Sequence, residues 1–492
     1  MAGLEVLLGV VAAVVLLGVL AVRASVRLGL PSLLLYLGIG ILIGESVLGF
    51  QFSDAGLTES IGLAALVLIL VEGGLTTRWP AVRPSLGLGV ALSTAAVAVS
   101  IAVVGVALHY LLDLDWRVAF LWGAVLSSTD AAAVFSVLRG VGVSRRLAGT
   151  LELEAGMNDA PVVLAVILLA SDDPITWLTP VLVVYELAAG GVIGVLLGLG
   201  GAWALRRAAL PSTGLYPLAA IAACVLAYSA GQLAHASGLL ATYVCALVLG
   251  NSKLPHRGGV LSFAEGMGWL AQIGLFVLLG LYASPPRLLD AVVPALIAGV
   301  VLVVAARPLS VIVAATPFRL PWREQAFLSW SGLRGAVPIV LALIAVREGA
   351  PGAQALVDVV FVLVVVLTLV QGTTLPWVAR MLGVSRAAQL REIEVDAAPL
   401  DELGADLLQV RVPVGSQLRG VYLAELRLPP GATVSLLVRD ESAFTPNGQT
   451  RLRELDQLLV VTTASARDAA EERIRAVDRA GRLARWRGES GR

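Results

Sequence analysis

Cysteine, histidine and charge are all scarce in this chain of 492 residues, and each shortage closes off a class of function. The two cysteines, Cys224 and Cys245, both fall inside apolar runs, where a free thiol behaves as a small apolar side chain. Neither a disulfide framework nor a zinc site is expected from them. His109, His235 and His256 are scattered near the ends of apolar runs, so no histidine metal cluster is expected. Charged residues make up 14% of the chain, and 35 basic side chains balance 35 acidic ones. That balance gives no sign of a nucleic-acid partner. No basic residue precedes the first apolar run, Val6 to Val22, whereas Arg23 and Arg27 follow it, the reverse of a secretory signal. We read this run as a first membrane span with its N-terminus outside.

What the chain has is hydrocarbon. Hydrophobic residues make up 58% of it, and apolar runs long enough to cross a bilayer recur through the first 390 positions. Residues 391–492 carry 31 of the 70 Asp, Glu, Lys and Arg side chains, which marks a soluble domain behind a polytopic membrane part. Breaking the apolar runs at polar or Pro/Gly clusters gives thirteen expected spans, at 4–22, 30–48, 57–75, 85–111, 117–138, 147–170, 178–204, 211–235, 237–251, 260–282, 289–315, 324–346 and 353–381. Alternate connections hold 15 basic residues, from Arg23 to Arg386, while the opposite ones hold Arg117, Arg287 and Arg347. The positive-inside rule then puts the richer side, and the soluble domain, in the cytoplasm. The expected organisation is a membrane domain over 1–385, a linker over 386–404, a regulatory domain over 405–475 and a charged tail over 476–492.

Charges inside the spans are few. Asp130 lies 13 residues into the fifth span, Asp159 is 13 into the sixth, and Arg334 is 10 into the twelfth. At about 1.5 Å per residue in a core about 30 Å thick, all three come close to the midplane. A charge at that depth costs about 2.5–3.5 kcal/mol on insertion scales, so each is expected to face a cavity or a partner. The backbone beside them is expected to break. Gly332-Leu333-Arg334-Gly335-Ala336-Val337-Pro338 puts two glycines and a proline in the twelfth span, and Ser127-Ser128-Thr129-Asp130 is a polar cluster in the fifth. These occupy corresponding fifth places in two six-span units, 1–6 and 8–13, the pattern of inverted repeats that each supply one interrupted helix.

Asp159 is the candidate for alternate loading with a proton or a cation, since either neutralises the same carboxylate and so excludes the other. Asn158 is a neutral ligand or an orienting group, Thr129 and Ser128 offer oxygens, and Asp130 offsets the half-helix N-termini. Arg334 cannot release its proton and serves as a fixed counter-charge. Its expected partner is Glu154, one helical turn from Asn158. A purely structural ion-pair network is the plainer alternative for these residues, and for Glu154 with Arg334 it is the favoured one. Glu72, in Glu72-Gly73-Gly74, stands between a supporting role at the site and an interfacial one.

At these residues the chain resembles the monovalent cation/proton antiporters of the NhaP type. The matching motifs are Ser127 to Phe135, Glu154 to Asp159 and Gly332 to Pro338, in the family order, and the resemblance covers residues 1 to 390. It implies an all-α polytopic fold of about thirteen helices, a homodimer, an ion site centred on Asp159 with Asp130 and Thr129, and an elevator-like movement of a core domain against a dimer domain. It also implies electroneutral one-for-one exchange of potassium or sodium for protons, which goes with the Asn158-Asp159 pair. The chain departs from the family where Ala155 replaces a common serine and Ala160 a common proline. The lost hydroxyl leaves the choice between sodium and potassium open.

The soluble part resembles the TrkA-C regulatory domain of potassium transport proteins. Leu408-Val410-Val412, Val434-Leu436-Val438 and Leu458-Val460 alternate as strands, and Ala469 to Arg485 reads as a charged helix, giving a small α+β domain. The resemblance tilts the substrate toward potassium and implies a small ligand such as a nucleotide, although no phosphate-cradling glycine loop is visible. A ligand-gated cation channel is the first rival, but no filter of repeated carbonyls or charge rings is apparent. An intramembrane aspartyl protease is the enzyme rival, and it leaves Arg334 and Asn158 without a role. The expectation is therefore a transporter in the cell membrane, with no catalytic activity and no bound cofactor.

Overall fold

The computed structural model describes residues 2–28, 30–44, 54–130, 143–171, 176, 178–385, 395–400, 405–413, 415–440, 442–463 and 465–481. It divides into two compact units, Met1–Ser385 and Arg386–Arg492. Residues 131–142, which hold the expected second half of the fifth span and the Ala131 to Phe135 part of its motif, lie outside the described residues, as do 482–492 of the expected tail.

The first unit is helical because a chain in hydrocarbon must satisfy its own backbone hydrogen bonds. Its helices are α1 (Ala2–Leu28), α2 (Ser32–Ile43), α3 (Ala55–Thr76), α4 (Leu86–Ser93), α5 (Ala95–Leu112), α6 (Trp116–Ser127), α7 (Arg145–Met157) and α8 (Asp159–Ala170). They continue as α9 (Thr179–Arg207), α10 (Leu215–Leu233), α11 (Gly238–Gly250), α12 (Arg257–Tyr282), α13 (Pro285–Val300), α14 (Arg307–Ala315), α15 (Trp322–Trp330), α16 (Ala336–Arg347) and α17 (Ala353–Met381). Among the described residues, nine helical stretches are long and apolar enough to cross a membrane. Among the described residues, the spans expected at 30–48, 117–138 and 237–251 hold the shorter apolar helices α2, α6 and α11, and the span expected at 324–346 is divided between α15 and α16. A helix of 12 residues, such as α6 or α16, is about 18 Å long and covers part of the hydrocarbon thickness. α6 ends, and α16 begins, at an interruption of the helix.

The helices sort into two packed groups. In one, α3 and α2 lie on α12, α11 lies on α3, and α9 and α10 lie on α11. In the other, α6 and α14 pack on α5, α7 on α4, α8 on α6, and α13 and α16 on α17. The groups meet chiefly where α3 lies along α16. Backbone packs on backbone where α2 crosses α12: a Cβ on Gly40 would lie 2.8 Å from Gly280 Cα, and one on Gly280 would lie 3.0 Å from Gly40 Cα. Small residues allow this approach where no hydrophobic force drives helices together.

The second unit is a five-stranded antiparallel sheet in the order β1 (Val395–Leu400), β2 (Ala405–Arg411), β5 (Gln457–Thr463), β3 (Ala432–Arg439), β4 (Ser442–Phe444), with a one-turn helix at Leu423–Leu426 and a longer helix, α18 (Arg467–Ala480). Leu408 pairs with Val460, and Val460 with Val434, so the alternating apolar residues share one face. Ala470, Ile474 and Val477 of α18 join that core. Strand β1 falls inside 386–404, which the sequence reads as a linker. Its run Asp396-Ala397-Ala398-Pro399 lacks strong alternation, and an edge position tolerates its proline. Arg439 donates to both Asp456 oxygens, at 2.8 and 2.7 Å, and ties β3 to the turn before β5.

The α2–α12 contact predicts that Gly280→Leu destabilises the membrane unit by about 1–3 kcal/mol through overpacking. The thermal midpoint of the detergent-solubilised protein should fall, while Gly274→Leu on the same helix, where a Cβ meets nothing within 4 Å, should leave it unchanged.

Candidate functional site

Three interruptions converge. The first is the end of α6, where Ser127 turns its hydroxyl back to Gly123 O at 2.6 Å and to Ser100 Oγ at 3.0 Å, and Ser128 is extended. The second lies between α7 and α8, where Asn158 stands between the two helices. Pro161 in the first turn of α8 has no N–H to give to the carbonyl of Met157, so the helix loosens there. The third is the run Ser331–Gly335 between α15 and α16. Pro338 likewise offers nothing to the carbonyl of Arg334, which instead accepts from Thr368 Oγ1 of α17 at 2.9 Å.

These breaks bond to one another. The Asp130 N–H donates to Leu333 O at 3.0 Å, and Asp130 Oδ2 accepts from the Ala336 N–H at 3.0 Å, at the N-terminus of α16. A carboxylate there satisfies an orphan donor and complements the helix dipole. A Cβ on Gly335 would overlap the Asp130 carboxylate, so the glycine is required by contact. Ser128 Oγ donates to Asp159 Oδ1 at 3.1 Å, and Asn158 Nδ2 donates to Thr129 Oγ1. The five residues Ser128, Thr129, Asp130, Asn158 and Asp159 are thus gathered in one place, and all are buried.

Glu154 does not pair with Arg334. Its Oε1 is 2.5 Å from Nη1 of Arg307, a residue that the sequence argument passes over. Arg307 begins α14 directly after a π-helical turn, Val301–Ala306, and such widened turns recur at functional positions. Its guanidinium also reaches Leu328 O at 3.3 Å, near the end of α15. A Cβ on Gly332 would lie 2.6 Å from Arg307 Nε, so this glycine makes room for the arginine. The signal for Arg307 was an arginine deep inside the apolar run 289–315. Arg334 is 1% exposed, and its Nε and Nη1 donate to no protein group. Glu154 Oε2 and Asn158 Oδ1 likewise have no donor. Glu72 lies against Gly268 of α12, in the other helix group.

The site therefore combines three carboxylates, two guanidiniums and several oxygens with unused acceptor capacity, all buried at the junction of broken helices. That chemistry suits a small cation or a proton.

Residues 10–381 match the family described as "Sodium/hydrogen exchanger, transmembrane". The chain belongs to the sodium/hydrogen exchanger family. Residues 407–475 match the TrkA-C domain. Among curated relatives, the K(+)/H(+) antiporter NhaP2 of Shewanella baltica is 34% identical over 449 residues, covering 89% of this chain and 77% of that protein. The K(+)/H(+) antiporter NhaP of Alkalimonas amylolytica is 39% identical over 380 residues, covering 76% of this chain and 66% of that protein. The solved sodium proton antiporter MjNhaP1 of Methanocaldococcus jannaschii shares the fold with a TM-score of 0.67 and 20% identity, over 77% of this chain and 99% of that one. The sodium/hydrogen exchanger family consists of transporters, and the activity of this multi-pass membrane protein is cation/proton antiport.

Removing one member of a buried ion pair strands the other, at a cost of about 3–5 kcal/mol, whereas replacing both is often close to neutral. Arg307→Gln and Glu154→Gln should each lower the thermal midpoint of the solubilised exchanger, and the double variant should recover most of the loss. Additive losses in the double variant would show that the pair contributes no coupling.

Proposed function

We propose that this exchanger carries one potassium ion against one proton, with Asp159 as the group that each occupies in turn. The observation that carries this reading is the bond from Ser128 to Asp159 at the meeting of the breaks, beside Thr129 and Asn158. The Asp159 carboxylate there accepts from a neutral hydroxyl, with no arginine bonded to it among the described residues, and so stays open to a cation or a proton. Asp130 is the supporting acid, fixed on α16.

Charge parity supports one-for-one exchange. With Asp130, Asp159 and Glu154 ionised against Arg307 and Arg334, the buried cluster carries one negative charge in excess. One monovalent cation neutralises it, and so does one proton. Both loaded forms can then move through a low-dielectric barrier at similar cost, whereas the empty form is penalised. Potassium is preferred to sodium because relatives at 34–39% identity are named K(+)/H(+) antiporters and because of the TrkA-C domain. A Na(+)/H(+) antiporter of Aphanothece halophytica, at 30% identity over 359 residues, keeps sodium as the second reading.

The two helix groups support an elevator-like movement of the site-bearing group against the other, within a homodimer in the cell membrane. The distribution of basic residues supports an outside N-terminus and a cytoplasmic TrkA-C domain, which would regulate exchange on binding a small ligand such as a nucleotide.

In acid-loaded proteoliposomes, external potassium should release lumenal protons faster than sodium does, and clamping the membrane potential should not change the rate. Asp159→Asn should abolish the release while leaving the thermal midpoint close to native. Potassium flux without proton movement, or unaltered proton release in Asp159→Asn, would remove Asp159 from the mechanism.

A further inference from the structure

Movement between the two helix groups requires that polar bonds spanning their boundary break, and the structure shows two of these at the same end. Glu59, in the first turns of α3, places Oε1 2.6 Å from Nη1 of Arg347, the last residue of α16. Tyr282, the last residue of α12, places its hydroxyl 3.3 Å from Gln354 Oε1, at the start of α17. Each bond joins a helix of one group to a helix of the other. Further along α3, a Cβ on Gly62 would lie 3.0 Å from a Val340 methyl of α16, so the two helices are closely packed there.

We propose that Glu59–Arg347, reinforced by Tyr282–Gln354, is a releasable latch that holds the exchanger in one of its two transport conformations. This inference rests on the alternating movement described above, and the orientation read from the basic residues puts the latch on the outer face. The two partners of the ion pair are unequal, which is what makes it releasable. Arg347 also donates to Glu348 Oε1 from Nε at 3.2 Å and from Nη2 at 2.8 Å, and its side chain is 51% exposed. It keeps a carboxylate of its own group after letting go. The Glu59 side chain is 2% exposed, and Arg347 is its one hydrogen-bond partner among the described residues. Glu59 therefore sets the cost of release, and the cost falls when its charge is removed.

A latch that stabilises one conformation biases the apparent affinity measured from each face in opposite directions, because only the competent fraction binds. In oriented proteoliposomes, Glu59→Gln and Arg347→Gln should raise the KM for the cation on one face and lower it on the other, by about fivefold or more. The exchanged pair Glu59→Arg with Arg347→Glu should move both values back toward native. A static brace would lower the thermal midpoint and leave the ratio of the two KM values untouched, and that result would overturn the proposal. As a second measurement, the variant Glu59→Cys with Arg347→Cys, in a background with Cys224→Ala and Cys245→Ala, is bridged by a short bifunctional methanethiosulfonate. Exchange should stop on bridging and return on reduction. Native-rate exchange in fully bridged protein would also overturn the latch. Both outcomes are distinct from failure of the antiport reading, which would appear as absent cation-driven proton movement in the native chain.

Discussion

A backbone interrupted inside hydrocarbon has no water to turn to, so every freed N–H and C=O must find a partner in the protein. The residue that meets this demand is Asp130. Its N–H gives to Leu333 O, and its carboxylate takes the N–H of Ala336. One residue at the end of α6 thus repairs the break between α15 and α16, at a place where each unpaired group would cost several kcal/mol. The two breaks stand because they stand together. Ser128 and Thr129 precede Asp130 directly, so fixing Asp130 against Leu333 and Ala336 also sets where their hydroxyls reach Asp159 and Asn158.

The prolines follow the same accounting. Pro161 and Pro338 each withdraw one N–H from a helix, and each does so four residues after a carbonyl near the site. For Arg334 the replacement donor is Thr368 of α17, which ties the broken span to an unbroken neighbour. Gly332 and Gly335 complete the arrangement by contact. One admits Arg307 and the other admits the Asp130 carboxylate. Two glycines in a helix centre look like weakness in a sequence, yet here each marks where a charged side chain must come against the backbone.

Proximity was legible in the sequence. Counting residues from the ends of the apolar runs brought Asp130, Asp159 and Arg334 to one level, and the Gly-Pro cluster located the break beside Arg334. The break at Asn158 was not read, although Pro161 announces it. The partner of Glu154 was beyond reach for a different reason. Helical spacing says which residues share a face of one helix, but it does not say which of two buried arginines on distant helices turns toward that face. In the soluble domain, the strands with strict alternation were legible and β1 was not, since Ala397, Ala398 and Pro399 carry little β signal and owe their strand to pairing with β2.

The exchange of partners at Glu154 changes more than a contact. With Arg334 as the one buried cation, three carboxylates would leave the cluster two charges negative, and neither one potassium ion nor one proton would bring it to neutrality. A carrier loaded with either would then cross the barrier charged, and its transport would respond to membrane potential. Arg307 supplies the second positive charge, by way of a π-helical turn that sets it against Glu154. Arg334 is released from that duty and keeps two buried donors uncommitted near the breaks. The parity of the site, and with it the case for one-for-one exchange, therefore rests on an arginine outside all three motifs by which the chain resembles its relatives.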